Sequence, residues 1–332
     1  MIVTGGAGFI GSHLVDTLVA DGQSVTVIDD LSVGRLENLS SAVEKHKDRA
    51  QFINADISCY SEEWASKFDG AKTVYHLAAR ADIVPSIDNP KLYFDVNVSG
   101  TVNVLQAMRD ARVDEIVYAA SSSCYGIPSE YPTAENAPID LRYPYAASKY
   151  FGEQTLRHYC EVYDLKATSL RFFNVYGPRA RTSGTYGAVF GVFLAQKINS
   201  QPLTVVGDGT QTRDFTYVAD VVDAVIVAAN AQRIAAPRFA VYNVGSGATV
   251  SVNRLVELLD CDKVHIPKRP GEPDCTFANI HKIRSELDWE PGVSIEDGVG
   301  RLLDHIDLWS DAPVWNPETI EKATESWFRY LE

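Results

Sequence analysis

Short β-branched runs alternate with helical stretches through the first half of the sequence, and this alternation limits the fold more than any other feature. The runs occupy residues 2–4, 25–29, 51–54, 73–76, 116–120 and 167–172. Strands that are separated by amphipathic helices pair in parallel, and a parallel sheet needs helices on both of its faces. The sequence therefore predicts an α/β fold built on a doubly wound parallel sheet.

After residue 173 the alternation gives way to loops that contain glycine and proline. Shorter helices are predicted there at residues 188–199, 252–259 and 295–310. We expect a nucleotide-binding domain at 1–174 and a smaller second domain at 175–332 that completes a cleft. Residues 214–229 have the pattern of a strand and a helix that return to the first domain, so we expect 214–243 to belong to it as well.

Charge and cysteine content exclude several classes of partner. The net charge of −14 disfavours general binding to nucleic acid or to an anionic membrane, because the overall field repels phosphate polymers. The five cysteines are scattered without a CxxC pair, which predicts neither a metal site nor a disulfide framework and favours a reducing, cytoplasmic setting. No signal peptide and no apolar run of ~18 residues is evident, so a membrane is not expected as a partner.

A glycine-rich segment, TGGAGFIG, follows the first predicted strand directly and opens the first helix. Gly5, Gly8 and Gly11 let the backbone approach a pyrophosphate, and the helix N-terminus offers free N–H groups and a positive dipole end. A plain strand-to-helix turn could use the same glycines, so the acid that ends the second strand matters. That acid is Asp29, whose carboxylate can accept both hydroxyls of an adenosine ribose and would repel a 2′-phosphate. The glycine-rich segment and Asp29 together favour NAD over NADP.

Other strand ends complete the predicted cofactor crevice. The carboxyl ends of parallel strands meet at one edge of the sheet, so the residues that follow them line the same crevice. His76 also lies at a strand end, and we interpret it as a packed histidine without chemistry. The further residues that we expect to contact the cofactor are Phe9, Ile10, Asp56, Ile57, Leu77, Ala78 and Ala79.

A serine at the end of the fifth predicted strand is followed by a tyrosine–lysine pair. Ser121 closes the strand, and Tyr145 and Lys149 lie four residues apart on one face of the next helix. A phenol with an ordinary pKa near ~10 is a poor base, but a neighbouring ammonium and a positive nicotinamide ring both favour the phenolate. We therefore predict these three residues as catalytic, with Lys149 also contacting the nicotinamide ribose. An amphipathic helix without function could carry the same pair, and only the order of the motifs argues against that.

These motifs resemble those of the extended short-chain dehydrogenase/reductase family, and within it UDP-glucose 4-epimerase and its relatives. The resemblance spans nearly the whole chain and implies a Rossmann-type sheet with tightly bound NAD and a smaller C-terminal substrate-binding domain. It also implies a homodimer formed through helices at 93–111 and 145–163. The segments that carry it are TGGAGFIG, HLAA, SSSCYG, YAASK, RFFNVYGPR, GDGTQTRDFTYV and RPGEPDCTFANI.

The resemblance implies a redox mechanism without net oxidation. Tyr145 takes the proton from the sugar O4 while the C4 hydride passes to NAD, and Ser121 hydrogen-bonds the same oxygen. The resulting 4-keto sugar turns over in the pocket and receives the hydride on its other face. The cofactor should therefore stay bound through turnover.

The resemblance also implies a set of residues that bind a nucleotide sugar. Guanidinium groups suit the bidentate geometry of a pyrophosphate, although Arg213 could instead pair with a carboxylate and Arg269 could be an ordinary loop residue. Glu272 would take the nucleotide ribose. At 189–190 this chain has Val-Phe, where the family commonly has Asn-Leu. At position 276 it has threonine, where the family residue controls whether N-acetylated sugars fit. The predicted substrate-binding residues are Ser122, Ser123, Asn174, Val189, Arg213, Arg269 and Glu272.

Several functions remain open beside a UDP-hexose 4-epimerase acting on UDP-glucose, UDP-galactose or their N-acetylated forms. The basic loop at 179–184 could receive the C6 carboxylate of UDP-glucuronate or could simply face water. A nucleotide-sugar 4,6-dehydratase would carry Asp-Glu directly after the catalytic residue, where this chain has Ser122 and Ser123. A non-catalytic NAD-binding regulator would have no need of Ser121, Tyr145 and Lys149. We therefore expect an isomerase that uses NAD.

Overall fold

The computed structural model describes residues 1–46, 48–180, 186–232 and 237–331. Its strands are β1 (Ile2–Thr4), β2 (Val25–Asp29), β3 (Ala50–Asn54), β4 (Val74–His76), β5 (Glu115–Ser121), β6 (Lys166–Phe172), β7 (Asn174–Tyr176), β8 (Leu203–Val206), β9 (Thr212–Arg213), β10 (Phe215–Tyr217), β11 (Phe239–Val244), β12 (Val250–Ser251) and β13 (Lys263–Ile266). Its α-helices are α1 (Phe9–Ala20), α2 (Ser40–Lys45), α3 (Glu62–Ala65), α4 (Ile83–Asp88), α5 (Pro90–Phe94), α6 (Gly100–Asp110), α7 (Pro144–Tyr163), α8 (Val189–Ile198), α9 (Val218–Gln232), α10 (Val252–Leu259), α11 (His281–Leu287), α12 (Ile295–Leu303), α13 (Pro317–Ala323) and α14 (Glu325–Tyr330).

The predicted doubly wound parallel sheet is confirmed. Within the described ranges, seven strands form one sheet in the order β11-β6-β5-β4-β1-β2-β3, and every pairing in it is parallel. Alternate residues of β1 face opposite sides, since Val3 packs in one core cluster and Ile2 in another. Helices α1 and α9 cover the first side, and α6 and α7 cover the second. The sheet is thus a Rossmann-type α/β layer structure.

Two later segments return to this sheet after the chain has left it. β11 pairs with β6 along the edge of the sheet, with Phe239 opposite Ala167 and Val244 opposite Phe172. α9 packs against α1, β5 and β6. β10 instead pairs with β7 in a separate two-stranded ribbon. The predicted strand and helix at 214–229 are therefore present, and the helix is the part that covers the main sheet.

The predicted strands of the first half agree with β1 to β6 within one residue, but two predicted helices are interrupted. The helix expected at 295–310 ends at Leu303, and a 3₁₀ turn follows at Ile306–Trp309. The chain turns there because the Trp309 ring is fully buried in the core of the second half. The helix expected at 93–111 contains a π-helical segment at Asp95–Ser99 between α5 and α6.

The second half has its own apolar core, which contains a group of aromatic rings. Tyr176 stacks on Phe190 with ring centroids 4.7 Å apart, and Phe215 and Tyr217 meet Tyr176 edge-on. Residues of α8, α10 and α12 belong to the same cluster. This core faces the carboxyl edge of the seven-stranded sheet, so a cleft forms between them. In the part of the chain that the structure describes, no helix combines the length and apolar character needed to cross a bilayer.

Candidate active site

A cavity of about 690 Å³ lies at the carboxyl edge of the sheet, between the sheet and the second core. Its wall includes residues that follow β1, β2, β3, β4 and β5, together with residues from the second half of the chain. Every residue that the sequence predicted for cofactor, catalysis or substrate lines this cavity, with the exception of Lys149. The fold therefore brings together residues from more than a dozen separate positions along the chain.

The glycine loop between β1 and α1 has a geometry that only glycine permits. Gly5 has a φ of +71°, and a β-carbon on it would lie 2.5 Å from the backbone nitrogen of Ala78. A β-carbon on Gly11 would lie 2.1 Å from the carbonyl oxygen of Gly5. Gly8 is the N-cap residue of α1, and no side chain caps this helix. The close packing and the uncapped helix start fit a site for the pyrophosphate of a dinucleotide.

The acid at the end of β2 lies beside this loop. Asp29 is buried, and its carboxylate accepts the backbone N–H of Ala7 at 3.0 Å and that of Leu31 at 2.9 Å. Burial raises the pKa of Asp29, and these two hydrogen bonds oppose the rise. The carboxylate is thus fixed at the cavity wall next to the glycine loop, where the sequence predicts the adenosine ribose.

The predicted catalytic tyrosine and serine lie together on the cavity wall. Tyr145 is in the first turn of α7 and Ser121 is at the end of β5, and both residues line the cavity. The Ser121 hydroxyl also lies 2.8 Å from that of Ser123 and accepts the Ser123 backbone N–H at 3.2 Å. Burial raises the pKa of Tyr145, the Ser121 hydrogen bond lowers it, and the charge of Asp82 raises it further. The phenol is therefore protonated at neutral pH.

Lys149 lies one turn further along α7 and below the cavity surface. It is 4% exposed, and its ammonium nitrogen is 4.3 Å from the centroid of the Tyr118 ring. Burial lowers the pKa of Lys149 to about 7, and the carboxylate of Glu153 opposes this. The neighbouring His76 is also fully buried, and burial together with the charge of Lys149 lowers its pKa to about 3. His76 is thus a neutral packed histidine, as the sequence indicated.

The predicted phosphate-binding arginines are both paired with one carboxylate. Arg213 approaches Glu272 at 2.9 Å, and Arg269 approaches the other oxygen of Glu272 at 3.5 Å. Asn174 accepts a hydrogen bond from the hydroxyl of Thr276 at 2.8 Å. Arg213 therefore has a carboxylate partner, and its role in substrate binding stays a prediction.

Aromatic rings around Arg269 form a part of the site that the sequence motifs did not indicate. The guanidinium carbon lies 4.8 Å from the centroid of Tyr186 and 5.7 Å from that of Trp327. Trp327 belongs to α14, and its indole N–H donates to the carbonyl of Pro270 at 2.7 Å. Trp315 meets Tyr186 edge-on and also lines the cavity. The C-terminal segment thus contributes to the cavity wall, although none of its tryptophans belongs to a recognisable motif.

The basic loop at 179–184 is described only at its start. Arg179 pairs with Asp16 of α1 at 2.7 Å. Its guanidinium is therefore neither a free receptor for a sugar carboxylate nor a group that simply faces water. Residues 181–184 of the predicted loop lie outside the described residues.

Comparison with known proteins gives consistent matches over almost the whole chain. Residues 2–302 match the family model described as GDP-mannose 4,6 dehydratase. The UDP-glucose 4-epimerase of Mycolicibacterium smegmatis is 38% identical over 311 residues, which cover 91% of this chain and 97% of that protein.

Solved structures agree with these sequence matches. A UDP-glucose 4-epimerase from Thermotoga maritima, solved with UDP-glucose, is 32% identical with a TM-score of 0.84 and covers 92% of this chain and 98% of that chain. A UDP-glucuronic acid 4-epimerase from Bacillus cereus, solved with UDP-glucuronic acid and NAD, is 30% identical with a TM-score of 0.82 and the same coverage. The chain belongs to the extended short-chain dehydrogenase/reductase family, in its group of NAD-dependent nucleotide-sugar epimerases and dehydratases.

Proposed function

We propose that this protein is an NAD-dependent 4-epimerase that inverts C4 of a UDP-hexose, with UDP-glucose and UDP-galactose as its substrates. The observation that carries the proposal is that Tyr145 and Ser121 line the same cavity as the glycine loop and Asp29. A base, a hydroxyl partner and a dinucleotide site in one cavity are what reversible oxidation of a carbinol requires. UDP-sugar epimerases among the relatives support the choice of substrate.

The cofactor site is formed by the glycine loop, Asp29 and the ends of β3 and β4. When bound there, NAD would supply the acceptor for the hydride of C4. Asp29, held by its two backbone hydrogen bonds, would accept the ribose hydroxyls with its remaining lone pairs, while Asp56 and Ile57 would border the adenine. Because the same hydride must return to the same sugar, the protein should be purified with NAD already bound.

The proton steps belong to Tyr145. Its hydroxyl must receive the proton of the sugar O4 and later return it, and Ser121 would share that oxygen through a second hydrogen bond. Burial raises the pKa of the phenol, and a positive charge beside it would favour the phenolate. Ser122 and Ser123 border the same space and can accept or donate hydrogen bonds to the other sugar hydroxyls.

The nucleotide end is anchored by Arg213 and Arg269. Both guanidinium groups now contact Glu272, so a pyrophosphate would take over these contacts and release the carboxylate for the nucleotide ribose. Asn174 and Val189 line the region between this end and the catalytic residues. An anchored pyrophosphate leaves the sugar ring free to turn over between the two hydride transfers.

Two rival reactions have less support. A 4,6-dehydratase would need a proton donor and acceptor directly after Ser121, and the residues there are Ser122 and Ser123. A UDP-glucuronate 4-epimerase would need a cation for the C6 carboxylate, and in the described part of the basic loop Arg179 is paired with Asp16. A regulator that binds NAD without catalysis would not require Tyr145 and Ser121 to lie together on the cavity wall.

We also propose a domain organisation, an oligomeric state and a cellular setting for this enzyme. Residues 1–174 with 214–243 would bind the cofactor and 175–332 the nucleotide sugar, which the pairing of β11 with β6 supports. A homodimer through α6 and α7 is supported by the exposed rings of Phe151 and Tyr163 on α7. The five free cysteines support a reducing, cytoplasmic setting. Sedimentation velocity would test the dimer directly.

Replacement of the catalytic tyrosine tests the proposed reaction. The purified protein, without added NAD, is expected to convert UDP-glucose to UDP-galactose, as followed by NMR of the sugar anomeric protons. Tyr145→Phe should reduce the rate by about 10³-fold because it removes the proton acceptor, while the NAD content of the purified protein stays the same. Tyr60→Phe, at an exposed position outside the cavity wall, is the matched control and should have full activity. Epimerisation by Tyr145→Phe at the normal rate would refute the assigned role.

A further inference from the structure

A short stretch of the C-terminal segment, at 312–315, forms part of the cavity wall although it lies outside the family match. The match covers residues 2–302, whereas Ala312, Pro313 and Trp315 line the cavity. These three residues follow none of the strands of the main sheet and belong to none of the motifs that the sequence assigned to cofactor, catalysis or substrate. The motifs therefore leave this part of the wall without a role.

Contacts between side chains lead from the phosphate end of the cavity to Trp315. The guanidinium carbon of Arg269 lies 4.8 Å from the centroid of the Tyr186 ring, and the guanidinium donates a hydrogen bond to the Tyr186 hydroxyl. The ring of Trp315 meets that of Tyr186 edge-on, with centroids 5.5 Å apart. One aromatic ring thus separates Trp315 from the cation that we propose for the pyrophosphate.

A buried amide fixes the position of Trp315. Gln196 of α8 is fully buried, and its side-chain nitrogen donates to the carbonyl oxygen of Trp315 at 2.7 Å. The same nitrogen donates to the hydroxyl of Thr204 at 2.9 Å, and the amide oxygen accepts the Thr204 backbone N–H at 3.2 Å. A buried amide that lost these partners would destabilise the fold, so Gln196 holds the Trp315 backbone against α8 and β8.

The surroundings of Trp315 suit a flat and uncharged ring. The residue is half-buried and lines the cavity, so part of its indole is accessible to a ligand. Thr204, which shares the Gln196 amide with Trp315, lines the same cavity, as does Val206 of β8. An indole beside small and apolar side chains binds an aromatic heterocycle by stacking, whereas a phosphate or a carboxylate would gain little there.

We infer that Trp315 binds the nucleobase of the nucleotide sugar by stacking on it. The inference deepens the proposed function and rests on its assignment of Arg269 to the pyrophosphate. In a nucleoside diphosphate only a ribose separates the base from the phosphates, which matches the single ring between Arg269 and Trp315. Stacking of a base on an aromatic side chain strengthens binding by roughly 5- to 100-fold.

Removal of the indole tests this role. The readouts are the dissociation constants of UDP and of ribose 5-diphosphate, which lacks the base, measured by calorimetry on the NAD-loaded protein. Trp315→Ala should weaken the binding of UDP by about 10-fold or more and leave that of ribose 5-diphosphate unchanged. Trp315→Phe keeps an aromatic face and should restore most of the affinity for UDP. Tyr330→Ala removes an exposed ring of the C-terminal segment that does not line the cavity, and should bind both ligands as the wild type does.

Two results would overturn the inference. One is an unchanged affinity of Trp315→Ala for UDP, and the other is an equal loss of affinity for both ligands, because the tryptophan would then act only on the phosphate end. Should Trp315→Ala fail to fold, Trp315→Leu and Trp315→Phe give the same comparison, and equal affinities of these two variants for UDP count against stacking.

Failure of the proposed function would be recognised separately. It fails if the wild type epimerises no UDP-sugar, whatever the binding constants are. If the inference alone is wrong, the wild type still epimerises UDP-glucose, and Trp315→Ala does so with the same KM.

Discussion

Lys149→Met tests whether the catalytic lysine is buried as the structure places it. In the folded protein burial lowers the pKa of Lys149 to about 7, whereas the unfolded chain should keep the ordinary value of 10.5. Between these two pH values the unfolded state binds more protons than the folded state, so the stability of the protein rises with pH. This contribution is fully present only above the ordinary pKa and is lost as the pH falls toward 7. Replacement of Lys149 by methionine removes this pH-dependent contribution to the free energy of unfolding.

The size of the effect follows from the two pKa values. One proton difference changes the free energy of unfolding by about 1.4 kcal/mol per pH unit. Between pH 7.5 and pH 9.0 the lysine is mostly neutral in the folded state and protonated in the unfolded state, which gives a gain of about 2 kcal/mol. The residue is almost completely buried, so solvent screening reduces this value little.

The assay is urea unfolding of the NAD-free protein at 25 °C and at both pH values, followed by circular dichroism. The wild type should gain about 2 kcal/mol more than Lys149→Met between pH 7.5 and pH 9.0. Lys67→Met removes an exposed lysine and should show the wild-type dependence on pH. Equal pH dependence of the wild type and Lys149→Met would refute the reasoning, because the lysine would then titrate alike in both states.

Two further predictions concern the ends of the cavity. Gly11→Ala should yield protein without bound NAD, since the new β-carbon would lie 2.1 Å from the Gly5 carbonyl oxygen. The control is Gly300→Ala, whose new β-carbon meets no atom within 4 Å, and this variant should keep its NAD. The NAD released on denaturation measures the content of both variants. Trp327→Leu should raise the KM for UDP-glucose about tenfold at nearly constant kcat, because it removes the ring that orients Arg269. A fall in kcat with an unchanged KM would contradict this role of the tryptophan.

Local sequence patterns were enough to predict the sheet and the residues at the strand ends that line the cavity. Strand boundaries in the first half agree within one residue, since β-branched runs and turn residues carry that information locally. Gly5, Gly11 and Asp29 could be located because their roles depend on position relative to a strand end. The same reasoning placed Tyr145 and Ser121 on one wall.

Features that depend on contacts between distant elements were not predictable in this way. Trp327 reaches the cavity only because α14 packs over Pro270, and no local pattern marks it. The positive φ of Asp82 could not be predicted from the sequence. A glycine at this position would have indicated it, but the residue is an aspartate. The predicted helix at 295–310 was too long. Burial of Trp309 in the second core favours the observed turn over the continuous helix that the spacing of apolar residues predicts.

The pairing of β11 with β6 has a consequence for how the chain folds during synthesis. β6 ends at Phe172, but its edge partner begins only at Phe239, after the chain has made β7 to β10 and helices α8 and α9. At about 5–20 residues per second, the nascent sheet would expose the hydrogen-bonding groups of β6 for several seconds. An open edge of this kind invites pairing with other chains. A fragment that stops at residue 174 should therefore aggregate, and completion of the second half protects the first.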